Sequence, residues 1–245
     1  LSGAAQGIDL FVNDGMVFRN NVVVNRGLFG SVVTYRNNGL NIDAGTNWLI
    51  EGNTLVHLEV GNSWGGNKGW AFQAYTSTVM TEVTFRNNLF VMPFLTGSPR
   101  CIGAGGSPVP STLFAECNGN HFWCENSVSW ADGFSTGNGS LATWQAATTF
   151  DDNSSAATGA NDPLTDSNGV PVDATLVAAS APIDAGVTAP DVYLDYAGHI
   201  RTGTMDVGAH SYGDSTEPTA PTVDVAAVDP TDSVFIAARM RTING

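Results

Sequence analysis

An aromatic stretch surrounds Lys68, the single lysine of the chain, in a glycine-rich loop. Aromatic rings offer a large apolar face on which sugar rings can stack. An arginine and a histidine lie on later excursions of the chain, so a second cation and a proton-transfer group could approach the same side. The candidate catalytic residues are Lys68, Arg100 and His121, and the candidate substrate-binding residues are Trp64, Trp70 and Tyr75.

The same residues also have a simpler interpretation. Trp70 and Tyr75 could pack in the core or within a loop, and Lys68 could be a solvated surface charge. His57 and His121 lie at strand-like positions, where a histidine more often satisfies hydrogen bonds of the fold than it serves a reaction. Both interpretations stay open from the sequence.

Metal binding is weakly indicated. Aspartates near turns offer the oxygen ligands that calcium prefers, but no Asp-x-Asp-x-Asp-Gly loop is present. Calcium therefore stays open as a cofactor, and no metal site is assigned. The aspartates concerned are Asp43, Asp132, Asp151, Asp152 and Asp162.

A recurring phrase specifies the elements that must position these residues. A large apolar residue is followed by two polar residues, an asparagine and, two positions later, another apolar residue, as in Phe85 to Phe90. Repeats of this length are typical of stacked architectures, and in-line asparagines can hydrogen-bond from one repeat to the next. The asparagines, spaced 32, 35, 38 and 27 residues apart, are Asn21, Asn53, Asn88, Asn126 and Asn153.

Apolar residues alternate with polar ones around each asparagine, which predicts short strands. The closest approach to a helical period runs from Gly139 to Ala147 and predicts one short helix. Glycine-rich stretches between the strands predict long side loops.

Three cysteines, Cys101, Cys117 and Cys124, form no C-x-x-C pair, so a zinc or redox site is disfavoured. In the repeat register Cys124 takes an outward position. We therefore expect it to form a disulfide with Cys117 or Cys101 in an oxidising compartment.

Composition excludes some classes of function. The net charge of −14 leaves no basic surface for a nucleic acid, and no apolar run is long enough to span a membrane. Only 13% of residues are charged, and a surface rich in Asn, Thr, Ser, Gly and Asp suits an extracellular or cell-surface protein.

The asparagine phrases and a C-terminal motif together resemble right-handed parallel β-helix proteins of the pectate-lyase-like superfamily. The motif is an Asp-x-Gly followed by Asp-x-x-Gly-x-x-Arg and Asp-x-Gly-Ala, as in the endings of bacterial secreted members. It predicts a segment that closes the exposed edge of the last coil, with the arginine bridging one of the aspartates. The closure residues are Asp184, Asp195, Arg201 and Asp206.

The resemblance implies an all-β parallel β-helix with long side loops at residues 1–212, lacking its N-terminal part and closed by 181–212. Residues 213–233 read as a linker, and 234–245 as the start of a further module or a tail. The resemblance also implies work on a polysaccharide or cell-surface glycan. A uronate lyase would need a cation to neutralise the carboxylate, a base and an acid.

The alternative is a non-catalytic structural or adhesive module, such as a surface protein, filament subunit or phage spike segment. Such a module would associate with itself or with other modules of the same polypeptide. The Arg-x-Pro-x-x-Arg motif of pectate lyases and the polygalacturonase motifs are both absent from the sequence. These absences favour the non-catalytic alternative, whereas the resemblance favours the first.

Overall fold

The structure is a computed structural model that describes residues 6–10, 14–27, 38–42, 45–59, 70–75, 80–93, 100–125, 129–189, 194–201 and 204–213. Short strands dominate it, as the period-two alternation predicts. The strands are β1 Gln6–Leu10, β2 Val17–Arg19, β3 Val22–Gly27, β4 Asn38–Ile42, β5 Gly45–Thr46, β6 Leu49–Glu51, β7 Thr54–Glu59, β8 Trp70–Tyr75, β9 Met80–Thr81, β10 Val83–Arg86, β11 Leu89–Met92, β12 Arg100–Gly105, β13 Phe114–Asn118, β14 His121–Cys124, β15 Ser129–Asp132, β16 Ser155–Thr158, β17 Leu164–Asp166 and β18 Asp173–Leu176. The helices are α1 Pro110–Leu113 and α2 Leu141–Thr148, and α2 confirms the predicted short helix.

Three parallel sheets organise the described residues. Sheet A has the order β1-β4-β8-β12-β15, sheet B the order β2-β6-β10-β13, and sheet C the order β3-β7-β11-β14-β16. The chain visits A, B and C in turn, and we call each such passage a circuit. In the last circuit α2 lies between β15 and β16, where earlier circuits have a strand of sheet B. The predicted all-β class is therefore confirmed, with most strands in parallel sheets.

The space enclosed by the sheets is filled with large apolar side chains. Ile50 and Phe85 are in register on sheet B, and Phe90 and Phe122 are in register on sheet C. All four are fully buried in one core cluster. Their burial follows from the phrase itself, because the residue three before the asparagine and the residue two after it both point inward.

A two-residue turn joins each strand of sheet B to the next strand of sheet C. Its first residue has a positive φ, at Asn20, Gly52, Asn87 and Gly119. Asparagine and glycine tolerate this left-handed backbone best, which explains their alternation at this position. The second residue of each turn is the repeated asparagine.

The repeated asparagines form a hydrogen-bonded ladder inside the fold. The carboxamide oxygen of Asn53 accepts from both the backbone N–H and Nδ2 of Asn21, each at 3.0 Å. Asn88 accepts from Asn53 in the same way, at 3.2 and 2.9 Å. Its own N–H and Nδ2 donate to Asn120 Oδ1 at 3.0 and 3.1 Å. The remaining Nδ2 hydrogen of Asn88 reaches the carbonyl of Ile50, so the buried amide is fully used.

The fourth rung corrects the predicted register. Asn120, not Asn126, occupies the ladder, because β13 pairs with β10 so that Cys117 lies opposite Phe85. Asn126 itself lies outside the described residues. In this circuit the apolar residue three positions before the ladder asparagine is therefore Cys117, where the sequence predicted Trp123.

The last rung also differs from the prediction. Asn120 donates its backbone N–H to Ser154 Oγ at 2.8 Å and its Nδ2 to Asp151 Oδ1 at 3.1 Å. Asn153 is exposed, and its backbone N–H donates to Asn118 instead. A hydroxyl and a carboxylate thus share the role that one carboxamide plays in the other circuits.

Asp151 is a buried carboxylate at the end of the ladder. Its Oδ2 accepts from the indole N–H of Trp144 at 2.8 Å, the indole N–H of Trp130 at 3.3 Å and the thiol of Cys117 at 3.0 Å. Ser154 donates to its Oδ1 at 2.5 Å. Because every ladder amide donates in the direction of Asp151, the aligned dipoles stabilise this negative charge.

The predicted disulfide is wrong. No disulfide joins Cys101, Cys117 and Cys124, and all three are buried. Cys124 belongs to the interior cluster instead of an outward position. Burial, aided by the nearby Asp151 carboxylate, raises the pKa of Cys101 and Cys117 well above the usual range, so both stay protonated.

The C-terminal segment 181–212 runs across the turns that join sheets B and C. Val187 exchanges two hydrogen bonds with the side chain of Asn87, at 2.7 and 2.8 Å. Asn20 donates to the carbonyl of Leu194 at 2.6 Å, so the same segment also reaches the first circuit. In the described residues it is thus a strap along the stack, where the sequence predicted a cap on the last coil.

The polar residues of this strap bind its own backbone. Asp206 accepts from the backbone N–H groups of Asp184 and Tyr212, and Asp195 accepts from those of His199 and Ser211. Arg201 donates to the carbonyls of Asp206, Gly208 and Ala209, at 3.2, 2.7 and 3.0 Å. These hydrogen bonds of Arg201 go to backbone carbonyls, whereas the sequence predicted a bridge to a carboxylate.

The strap and the β17–β18 hairpin bury the outward face of sheet C. Val207, Leu164 and Leu176 pack in one cluster with Leu89 and Trp123. Sheet C is therefore covered on both faces, which agrees with the continuous burial of β11 and β14.

The predicted linker and the further module fall almost wholly on residues 214–245, which lie outside the described residues. Within the described part of the chain, none of the helices has the length and apolar character needed to cross a membrane.

Candidate functional site

Sheet A differs from sheet C in carrying a line of polar residues. The register aligns one residue from each strand, and we call this set the polar column. Two apolar columns flank it, one containing Ile102 and Ala131 and the other Ala104, all of which are buried in the core. At one end of this column Asp132 is 23% exposed, and Gly103 is buried. The members of the polar column are Asp9, Asn41, Gln73, Gly103 and Asp132.

The end of the polar column carries an ion pair. Arg100 Nε lies 3.5 Å from Asp132 Oδ2, and the two side chains are 15% and 23% exposed. The guanidinium therefore sits beside a carboxylate that balances much of its charge. An arginine in this setting is suited to orienting a hydrogen-bonding ligand more than to neutralising a carboxylate on it.

The predicted substrate-binding residues are placed unequally. Tyr75 pairs with Gly105 and Trp70 pairs with Arg100, on the neighbouring strands β8 and β12 of sheet A. Trp64 and Lys68 lie outside the described residues. The structure thus brings Trp70, Tyr75 and Arg100 onto neighbouring strands of one sheet.

The third predicted catalytic residue lies elsewhere. His121 begins β14 in sheet C, in register with Leu89 and Ser155, and is only 1% exposed. Burial lowers its pKa from 6.5 to about 4, so the ring is neutral at physiological pH. Its Nδ1 lies 2.7 Å from Ser155 Oγ. His121 and Arg100 therefore belong to different sheets and form no common site.

Ser155 opens onto a cleft between β16 and the strap. The cleft has a volume of about 740 Å³, with polar residues at Asn153, Ser155, Asp184 and Thr188 and apolar ones at Ala181 and Val187. Ser155 is half-buried, so its hydroxyl faces both the cleft and the imidazole of His121. Sequence reasoning missed Ser155, because a lone serine one position after the last rung carries no motif.

The aspartates named for calcium do not converge in the described part of the chain. There, no group of three or more His, Cys, Asp or Glu side chains is arranged to hold a metal ion. Asp151 is committed to indole, thiol and hydroxyl donors, and Asp132 lies beside Arg100. Asp43 is outside the described residues.

Comparison with known proteins identifies no family for this chain. No family model, curated protein or solved structure matches the chain.

Proposed function

We propose that this chain is an extracellular glycan-binding protein with a right-handed parallel β-helix fold, similar to the pectate-lyase-like superfamily. Its binding surface is the outward face of sheet A. The cyclic order of three parallel sheets and the asparagine ladder support the fold assignment. The C-terminal motif, which here forms the strap, supports the family resemblance.

The polar column is the observation that carries the proposal. Asn41, Gln73 and Asp132 are in register on β4, β8 and β15, with Gly103 on β12 between the last two, and neighbouring strands are ~4.8 Å apart. Amides donate to and accept from sugar hydroxyls, and carboxylates accept from them. A linear polymer laid across the strands would therefore meet a polar residue on three of these four strands, and Tyr75 on β8 adds an aromatic residue.

The charge favours a neutral glycan over a polyuronate. The chain carries a net charge of −14, and the polar column has an aspartate at each end. Such a surface repels a polyanion at low salt. Arg100 is balanced by Asp132, and His121 lies in another sheet, so binding without lyase chemistry fits the described residues best.

Affinity electrophoresis in gels that contain soluble polysaccharides tests the proposal. We expect retardation by neutral polymers such as xylan, mixed-linkage glucan or galactomannan, and none by polygalacturonate or alginate. The double variant Asn41→Ala/Gln73→Ala should bind about tenfold more weakly, because each lost hydrogen bond contributes about 1 kcal/mol.

Asn153→Ala is the matched control, because this exposed asparagine lies on the cleft away from sheet A. Retardation should be unchanged in this variant. Retardation by no polymer, or equal retardation of the double variant, would contradict glycan binding on sheet A. Release of unsaturated products from a uronate polymer, detected by absorbance, would instead assign the chain to the lyases.

A further inference from the structure

We propose that Ser155 and His121 form a nucleophile–base pair that hydrolyses small carboxylic esters in the cleft between β16 and the strap. This activity is independent of glycan binding on sheet A, because the two sites use different sheets. It also gives His121 a catalytic role with a different partner from those that the sequence indicated.

The contact between the two side chains carries the proposal. His121 Nδ1 and Ser155 Oγ are 2.7 Å apart, the separation of a serine hydroxyl that donates to an imidazole nitrogen. Register fixes this contact, because His121 and Ser155 are paired residues of adjacent parallel strands. The base is therefore held by two β-strands and not by a mobile loop.

The difference in burial assigns the role of base to His121 and the role of nucleophile to Ser155. His121 is buried, and its low pKa keeps the ring neutral, so that Nδ1 can accept a proton when Nε2 carries the ring hydrogen. Ser155 is half-buried and lines the open cleft, so a substrate carbonyl can reach its Oγ. Asn153 is exposed and lines the same cleft, and its carboxamide N–H is the kind of donor that stabilises an oxyanion.

The reaction balances with these groups and water. Ser155 Oγ attacks the ester carbonyl carbon while its proton moves to His121 Nδ1. The tetrahedral intermediate collapses, the carbon–oxygen bond of the ester breaks, and the alcohol leaves with the proton from His121. Water then attacks the acyl-serine with His121 as base, which releases the carboxylic acid and restores both side chains.

The cleft restricts the substrate class. Asp184 is the one ionisable side chain among its lining residues, and Ala181, Ala185 and Val187 give it small apolar walls. A neutral ester with a short acyl group, such as an acetyl ester, fits these walls and avoids repulsion by the carboxylate. The opening of the cleft to solvent leaves room for a larger alcohol part.

The test combines active-site labelling with hydrolysis of p-nitrophenyl acetate. We expect a fluorophosphonate probe to add to Ser155, located by peptide mass spectrometry. Hydrolysis should fall at least about a hundredfold in Ser155→Ala and in His121→Gln, the usual loss when a nucleophile or its base is removed. Thr158→Ala, an exposed position on the same strand, should keep both labelling and rate.

Circular dichroism and urea unfolding of each variant separate loss of activity from loss of folding. Ser155→Ala is nearly isosteric and should keep the fold even if His121→Gln does not, so it decides the outcome alone. A folded wild-type protein that resists labelling, labelling at another serine only, or an unchanged rate in Ser155→Ala would each overturn the proposal. Glycan retardation by the same Ser155→Ala protein should be normal.

Discussion

Two lines of polar residues run through this molecule with one member per circuit, and they are used in opposite ways. The asparagine ladder lies inside the stack, where Asn53 and Asn88 are fully buried. The polar column runs across sheet A, and its member Asp132 is 23% exposed. The repeat length is about the same for both lines, because each is set by one passage through the three sheets.

The difference between the two lines shows which polar groups must be hydrogen-bonded within the protein. A buried amide must use its donors and acceptor, and the ladder does so through its own neighbours and the carbonyls behind them. An outward amide can bind water, so its residue type is free to vary and to serve a ligand. The ladder therefore stabilises the fold, and the polar column is available for recognition.

The largest effect should come from breaking the ladder at its centre. Asn88→Ala removes the acceptor of the Asn53 N–H and of one Nδ2 hydrogen of Asn53, and it removes the Nδ2 donor to the carbonyl of Ile50. Asn120 Oδ1 loses one of its two donors and keeps the backbone N–H of position 88. We expect the free energy of unfolding to fall by about 4 kcal/mol, the sum of several unsatisfied buried groups. Urea unfolding followed by tryptophan fluorescence measures it. A loss below about 1 kcal/mol would mean that water replaces the amide.

The end of the ladder should be nearly as sensitive. Asp151→Asn keeps the side-chain shape but replaces one acceptor oxygen with an NH2 donor. In one orientation this donor faces the indole and thiol donors that now bind Oδ2, and in the other it faces the Ser154 and Asn120 donors that now bind Oδ1. We expect a loss of about 3 kcal/mol in the free energy of unfolding. Asn153→Ala, two residues away and exposed, is the control and should change it by less than about 0.5 kcal/mol.

The next prediction uses pH on the buried His121. Burial lowers its pKa from 6.5 to about 4. Between these pH values His121 is protonated in the unfolded chain and neutral in the folded protein. The contribution of His121 to the free energy of unfolding is therefore complete above pH 6.5 and is lost as pH falls toward 4, by about 3 kcal/mol in total. His121→Gln should remove this part of the pH dependence, measured by urea unfolding across that range. An identical pH profile in the variant would show that other groups cause it.

The smallest effect should come from the polar column. Gln73 belongs to the proposed ligand-binding surface, so Gln73→Ala should shift the free energy of unfolding by less than about 0.5 kcal/mol. The same measurement as for Asn88→Ala gives the contrast directly. A loss of several kcal/mol would place Gln73 in a buried network and end the distinction between the two lines.

Some of the fold could be predicted because it is local. The turn before each asparagine needs a left-handed residue, and the apolar positions on either side alternate at the period of a strand. The rung at Asn120 was missed because its apolar partner is Cys117, a small residue that does not stand out in the phrase. Its 32-residue interval from Asn88, equal to that between Asn21 and Asn53, was the available signal.

The candidate sites were less accessible from the sequence. Trp70, Tyr75 and Arg100 lie on two strands of sheet A, whereas His121, predicted to approach the same side, belongs to sheet C. The cysteines were expected to form a disulfide because an exposed thiol is rare in an oxidising compartment. The pairing of β13 with β10 and of β14 with β11 instead buries Cys117 and Cys124 in the core.

The sequence by itself determined the repeat, the strands and the buried asparagines, because turn conformation and alternation act within a few residues. Only the tertiary structure decided which residues from distant circuits become neighbours. It aligned the polar column across sheet A, brought Ser155 to His121, and laid the strap along the turns at Asn20 and Asn87. Each of these contacts depends on loop lengths and strand register, which set the spacing between circuits and leave no local signature.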